Sequence, residues 1–261
     1  MKKVIDVSLD GLPVEGSLIE SDYQQLIEIL NDGKIAAKSS ADRQMQDMLD
    51  YYVMWAHQIK TPIAAMRLLL QTDENIESEE LDEQLFRIEQ YAEMVLHYLR
   101  TQSMCSDLLL KKYPLDAIVK QAVRKYRKQF IRKKIILNLS HLDCLILTDE
   151  KWLGFVIEQI LSNSLKYTVM GSVSIYMDEF LPKTLVIEDT GIGISPEDLP
   201  RIFEKGITGY NGRENKKSTG IGLYLCKRIL EKLSHTIMVT SAIDKGTIVK
   251  IGLDSVEMIS E

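Results

Sequence analysis

The chain is poor in cysteine, in long apolar runs and in surplus positive charge, and each shortage removes a class of protein. Its three cysteines, Cys105, Cys144 and Cys226, stand far apart with no CxxC or Cys/His spacing. That usage supports neither a disulfide framework nor a zinc site, and it fits a reducing compartment. No apolar run approaches the roughly 20 residues that a membrane span needs. Met1-Lys2-Lys3 is followed by too short an apolar stretch for a secretory signal. These residues therefore read as cytoplasmic. A net charge of −6 and a pI near 5.4 exclude a nucleic-acid partner, which calls for clustered lysine and arginine. Neither an internal repeat nor a low-complexity segment is present. With 261 residues, 45% of them hydrophobic, there is material for one large domain or two modest ones.

The first long pattern that is present is helical. Met45, Leu49, Tyr52, Ala56, Ile59, Ile63, Met66 and Leu70 recur at alternating steps of four and three, the spacing of a coiled-coil seam. The seam predicts a helix over Ala41 to Gln71, interrupted only by Pro62, and a partner helix against it. His57 follows the seam residue Ala56, so its ring should stand beside the packed face and open to solvent. Ser78 with Glu79, Glu80 and Asp82 reads as the start of a second helix. Leu81, Leu85, Ile88, Ala92, Val95 and Leu99 repeat the seam spacing along it. Two such helices form a hairpin with one apolar stripe, too thin to bury a core alone, so a homodimeric four-helix bundle is expected. Residues 1–40, with Gly11, Pro13, Gly16 and Gly33, read as a lead-in.

Beyond a linker from Ser103 to Pro114 the pattern changes to alternating helices and strands. An amphipathic helix is predicted over Leu115 to Lys133, a strand over Ile135 to Leu139 and a helix over Trp152 to Lys166. Two adjacent strands follow at Ser172 to Met177 and Thr184 to Glu188. A last helix over Thr219 to Leu233 precedes strands near Ile237 to Thr240 and Thr247 to Gly252. The expected organisation is a lead-in over 1–40, a dimerising helical hairpin over 41–105 and an α/β sandwich over 106–261.

Chemistry gathers in the sandwich. Asp189-Thr190-Gly191-Ile192-Gly193 directly follows a predicted strand, and Thr219-Gly220-Ile221-Gly222-Leu223 opens a predicted helix. Paired glycines permit close backbone approach to a ligand, and a helix N-terminus offers N–H groups to phosphate. Between the two turns runs a polar loop, Lys205 to Lys217, able to fold over an anion. Gln159 and Asn163 lie one turn apart on the preceding helix, where neutral amides suit Mg²⁺ and polyphosphate, and Lys166 with Tyr167 adds a cation and an aromatic surface.

Together these segments resemble the cytosolic core of a bacterial sensor histidine kinase over about Ala41 to Leu253. The His57 segment resembles the family's H box, Gln159 to Tyr167 its N box, Asp189 to Gly193 its G1 box, Phe203 its F box and Gly220 to Gly222 its G2 box. Within the family, His57-Gln58-Ile59-Lys60-Thr61-Pro62-Ile63-Ala64 is similar to the bacitracin-sensing, intramembrane-sensing type found beside peptide-exporting ABC transporters. Full-length relatives of that type are membrane-anchored with this part in the cytoplasm.

The resemblance implies an α+β chain: a dimeric helical hairpin followed by an ATP-binding α/β sandwich of the type shared by histidine kinases and Hsp90-like ATPases. It implies His57 as phosphoacceptor, with Gln58 and Thr61 beside it, Asp189 on the adenine amino group and Asn163 on Mg²⁺. Gln159, Lys166, Tyr167, Gly191, Gly193, Phe203, Thr208, Thr219, Gly220, Gly222 and Leu223 complete the nucleotide set, and Glu204 to Lys217 forms a lid. The implied activity is autophosphorylation from ATP and transfer to an aspartate of a response-regulator receiver domain, in antimicrobial-peptide or cell-envelope stress signalling. The implied partners are a second copy, the regulator and a peptide-exporting ABC transporter. Two positions depart from the pattern: Gln58 replaces the usual acidic residue, and Gln159 replaces the first asparagine of the N box. A kinase-inactive scaffold, a regulator phosphatase using Thr61 to position water, and a plain ATPase are the alternatives.

Overall fold

A computed structural model describes residues 18–72, 78–103, 108–207 and 220–253. The chain divides into two units, Met1–His57 and Gln58–Glu261. In the first unit every described residue belongs to helix α1, Leu18–Thr72. The helix thus begins well before Ala41. Gly33, read as part of a lead-in, lies within it, and a side chain there would meet nothing within 4 Å. One exposed glycine costs a helix only about 1 kcal/mol and does not end it. Leu26, Ile29, Met45 and Leu49 are exposed along this stretch.

The second unit contains the remainder of α1, which continues through Pro62 to Thr72, and α2 at Ser78–Ser103. The sandwich comprises β1 (Lys111–Pro114), α3 (Leu115–Lys133), β2 (Ile136–Leu139), β3 (Leu145–Thr148), α4 (Glu150–Tyr167), β4 (Ser172–Met177), β5 (Thr184–Asp189), α5 (Gly222–Lys232), β6 (Thr236–Ala242) and β7 (Gly246–Gly252). A 3₁₀ turn at Leu199–Arg201 lies between β5 and α5. Five strands pair in the order β2-β4-β5-β7-β6, all antiparallel except β2 with β4. Alternation sets the faces: Val173 and Ile175 of β4, Leu185 and Ile187 of β5, and Val249 and Ile251 of β7 are buried in register. Helix α4 packs against β5 and against both α3 and α5, giving one helical layer over the sheet. Among the described residues no helix is long and apolar enough to cross a membrane.

Strands β1 and β3 form a separate antiparallel pair that the sequence pattern did not disclose. Lys111-Lys112-Tyr113-Pro114 has no alternation, and its local pattern is that of a linker. Its strand character comes from pairing with residues more than thirty positions away.

Helix α2 is fixed to the sandwich within this unit. The His97 ring stacks on Phe155 at 4.0 Å and meets Trp152 edge-on at 5.1 Å. Phe86 meets Tyr126 edge-on at 5.6 Å, while the Tyr126 hydroxyl donates to Gln90 Oε1 at 2.7 Å. Lys125 of α3 binds Glu93 of α2 at 2.5 Å and Glu158 of α4 at 2.7 Å.

Candidate active site

The last two turns of α4 carry Gln159, Asn163, Lys166 and Tyr167. The helix is held at its start by Asp149, which accepts from the backbone N–H groups of Lys151 and Trp152 at 3.0 and 3.3 Å. Gln159 is buried, Asn163, Lys166 and Tyr167 are half-buried, and the Lys166 ammonium stands 5.0 Å over the Tyr167 ring. Ser164, one residue past Asn163, is buried.

Asp189 ends β5, a strand buried along nearly its whole length. Its Oδ2 accepts from Ser164 Oγ at 3.0 Å and its Oδ1 from the Gly191 N–H at 3.0 Å. Burial pushes the carboxyl above its ordinary range, and these hydrogen bonds oppose that rise. An acceptor on a buried strand end, with both oxygens oriented, can read a base N–H group.

The turn after Asp189 is tied on both sides. Ile192 N–H donates to the Tyr167 carbonyl at 3.2 Å, at the end of α4, while the Ile192 carbonyl accepts from Asp244 N–H at 2.9 Å. Gly193 has φ +72°, and a side chain there would stand 2.0 Å from the Ala242 carbonyl oxygen. Only glycine fits. The G2 turn is equally tight: Gly220 has φ +63°, a side chain there would lie 2.5 Å from the Gly206 carbonyl carbon, and Gly206 N–H donates to the Gly220 carbonyl at 3.0 Å. The two stems of the proposed lid therefore meet. Thr208 and Thr219 fall outside the described residues.

Helix α5 begins at Gly222, and no side chain caps it; Ile221 occupies the cap position. Its first turn thus presents backbone N–H groups, with Leu223 half-buried beside them. The place where a Gly222 side chain would begin is 3.0 Å from Gln159 Oε1, so the N-box amide sits directly against the start of α5. Phe203 is half-buried with the Lys227 ammonium 5.5 Å over its ring. The structure thus gathers Gln159, Asp189, Gly191 and Gly222 at the junction of α4, β5 and α5. In α1, His57 and Thr61 are exposed, Gln58 is half-buried and Pro62 is buried.

Two residues of this region escaped the sequence reading. Ser164 gave no signal, because one serine in a helix is ordinary. Gly246 could have been found from the turn Asp244-Lys245-Gly246; a side chain there would stand 1.9 Å from the Asp189 carbonyl oxygen.

Residues 148–257 match the family of histidine kinase-, DNA gyrase B- and HSP90-like ATPases. The sensor protein BceS of Halalkalibacterium halodurans is 34% identical over 235 residues, covering 87% of this chain and 70% of that one. The chain belongs to the bacterial sensor histidine kinases of the bacitracin-sensing type. A second relative of this histidine kinase, the sensor histidine kinase YxdK of Bacillus subtilis, is 30% identical over 80% of this chain and 66% of its own. The chain spans 58 to 70% of the length of these and two further curated relatives that it matches. The solved histidine kinase AdeS of Acinetobacter baumannii shares the fold, with a TM-score of 0.53 at 21% identity over 77% of this chain and 98% of that one. The ATPase family match makes ATP the nucleotide that this histidine kinase binds.

Proposed function

We propose that His57 takes the γ-phosphoryl group of ATP and passes it to an aspartate of a response regulator. The observation that carries this reading is the junction of α4, β5 and α5, where a buried carboxylate, buried and half-buried amides and an uncapped helix N-terminus converge. Asp189 accepts the adenine amino group, the α5 N-terminus with Gly220 and Gly222 receives phosphates, and Lys166 and Tyr167 flank the nucleotide. Gly191, Gly193, Phe203 and Leu223 shape the remainder, and the family resemblance assigns Thr208 and Thr219 to the same set. The donor set also fits Mg²⁺, a hard cation that takes oxygen ligands and keeps several waters. Asn163 would hold it, and the ion would supply charge neutralisation on the phosphate oxygens.

In the reaction a ring nitrogen of His57 forms a bond to the γ-phosphorus while the bond from that phosphorus to the bridging oxygen breaks, leaving ADP. The other ring nitrogen gives up its proton. An amide at Gln159, unlike a carboxylate, cannot accept a proton from water, which supports phosphoryl transfer over hydrolysis. The exposed seam residues Met45, Leu49 and Leu70 support a homodimer. The H-box wording supports a role in cell-envelope or antimicrobial-peptide signalling beside a peptide-exporting transporter, with this part on the cytoplasmic side of the membrane. Incubation with γ-labelled ATP and Mg²⁺ tests the reaction. It should give protein-bound label that is acid-labile and base-stable, as a phosphoramidate is, whereas α-labelled ATP should give none. Acid-stable label would contradict the proposal.

A further inference from the structure

Ser164 is a buried hydroxyl on the helix that carries the N box. In a helix a serine ordinarily satisfies itself on the carbonyl four residues back or turns to water. Here the hydroxyl reaches instead to Asp189 Oδ2 at 3.0 Å, across 25 residues of chain. Both groups are nearly closed to solvent, at 2% and 6% exposure. Alanine would be the better helix former at such a position and would leave no polar atom to satisfy, so a serine there is costly unless its hydrogen bond does something.

We propose that Ser164 is a positioning residue for adenine selection, acting through Asp189. The inference rests on the reading of Asp189 as the group that meets the adenine amino group. To accept that N–H, the carboxylate must be turned with one lone pair toward the base, and it accepts most strongly when ionised. The Gly191 N–H holds Oδ1 and the Ser164 hydroxyl holds Oδ2, and the Thr247 backbone adds a further hydrogen bond to the carboxyl. The two backbone donors are part of the turn and the sheet and cannot be varied without moving them. The Ser164 donor is a side chain, and it is the adjustable one. Burial disfavours the carboxylate and Glu188 adds a like charge, while Ser164, Gly191 and the Thr247 backbone favour it.

Removing the hydroxyl leaves the carboxylate freer to rotate and easier to protonate. A protonated carboxyl keeps an acceptor oxygen but also carries an O–H donor, so it can meet the C6 carbonyl of guanine as well as the amino group of adenine. The expected consequence is a loss confined to the base, with phosphate binding intact.

The test is competition of ATP and of GTP, each with Mg²⁺, against a fluorescent ATP analogue on the full chain. The variants are Ser164→Ala, Ser164→Thr, Asp189→Asn and the double variant Ser164→Ala/Asp189→Asn. Ser164→Ala should weaken ATP about tenfold, the scale of a lost hydrogen bond to a charged group, while GTP changes little and the ATP-to-GTP preference narrows. Ser164→Thr, which keeps the hydroxyl, should restore the preference. In the Asp189→Asn background Ser164→Ala should have little further effect, because it acts through the group already changed. Equal weakening of ATP and GTP by Ser164→Ala, no weakening, or the same loss in both backgrounds would overturn the inference while leaving Asp189 as the adenine residue. If Asp189→Asn itself binds ATP as the unaltered chain does, the reading of the nucleotide site falls first and this inference with it.

Discussion

In the reaction proposed for His57, the ring becomes cationic as the nitrogen–phosphorus bond forms and is relieved by loss of the proton on its second nitrogen. Gln58, the next side chain, can accept a hydrogen bond from that N–H but cannot take the proton. General-base help is worth about 10²- to 10⁴-fold in rate, so Gln58→Glu should accelerate single-turnover labelling at saturating ATP, up to that scale. An unchanged or slower rate would show that proton removal is not limiting. In the nucleotide site, Asn163→Ala should weaken binding of ATP chiefly in the presence of Mg²⁺, whereas Asp189→Asn should weaken it with or without the ion. Titration of a fluorescent ATP analogue in Mg²⁺ and in chelator separates the two, and equal losses would contradict the assignment. Gly193→Ala should be worse than either for stability, since it combines a positive φ with a side chain 2.0 Å from the Ala242 oxygen. A melting temperature within a degree of the unaltered chain would contradict that. At this scale the sequence was legible where residues come in sets. Asp189 with Gly191 and Gly193 declared themselves by spacing, whereas Ser164 acquires meaning only when β5 brings Asp189 to it.

The helix most exposed to a change of conditions is α2. Its His97 lies between Phe155 and Trp152 of α4, and burial holds its imidazole down at about 4; Glu93 opposes that shift, and Arg100 and Lys125 add to it. Because the folded value lies below the unfolded value of about 6.5, neutral His97 contributes stability that is fully present above pH 6.5. That contribution is lost as the pH falls toward 4 and the ring must charge. In Trp55→Phe, which leaves Trp152 as the sole indole, emission should titrate with a midpoint near pH 4, since the charged ring would quench its neighbour or leave it. A midpoint near 6.5 would mean that His97 is not held between these rings. The elements themselves were legible in proportion to their length and period. Helices α3 and α4 and strand β4 followed from runs with clear 3.6- or 2-residue periodicity, and β5 from a short apolar run. Strands β1 and β3 are four residues each and depend on each other, so local pattern could not reveal β1. The start of α1 at Leu18 was hidden by Gly33, whose exposed position lets a long helix absorb its cost.

For the whole molecule, the order of the boxes along the chain carried the family before any coordinates did, and the sheet order and the fixing of α2 to the sandwich came only from the structure. The exposed seam on α1 predicts self-association. Leu49→Glu should shift the sedimentation of the protein from dimer toward monomer, weakening association roughly tenfold or more, since a carboxylate on a desolvated seam is strongly unfavourable. A dimer of unchanged strength would place the interface elsewhere. The account stands or falls on the phosphorylated residue. The most direct measurement is to label the protein with γ-labelled ATP and Mg²⁺ at neutral pH, digest it, and locate the phosphoryl group by peptide mass under conditions that preserve phosphohistidine. The account predicts the group on the peptide containing His57, and no label in His57→Ala although that variant binds ATP with unchanged affinity; label that persists in His57→Ala, or maps to another residue, would contradict it.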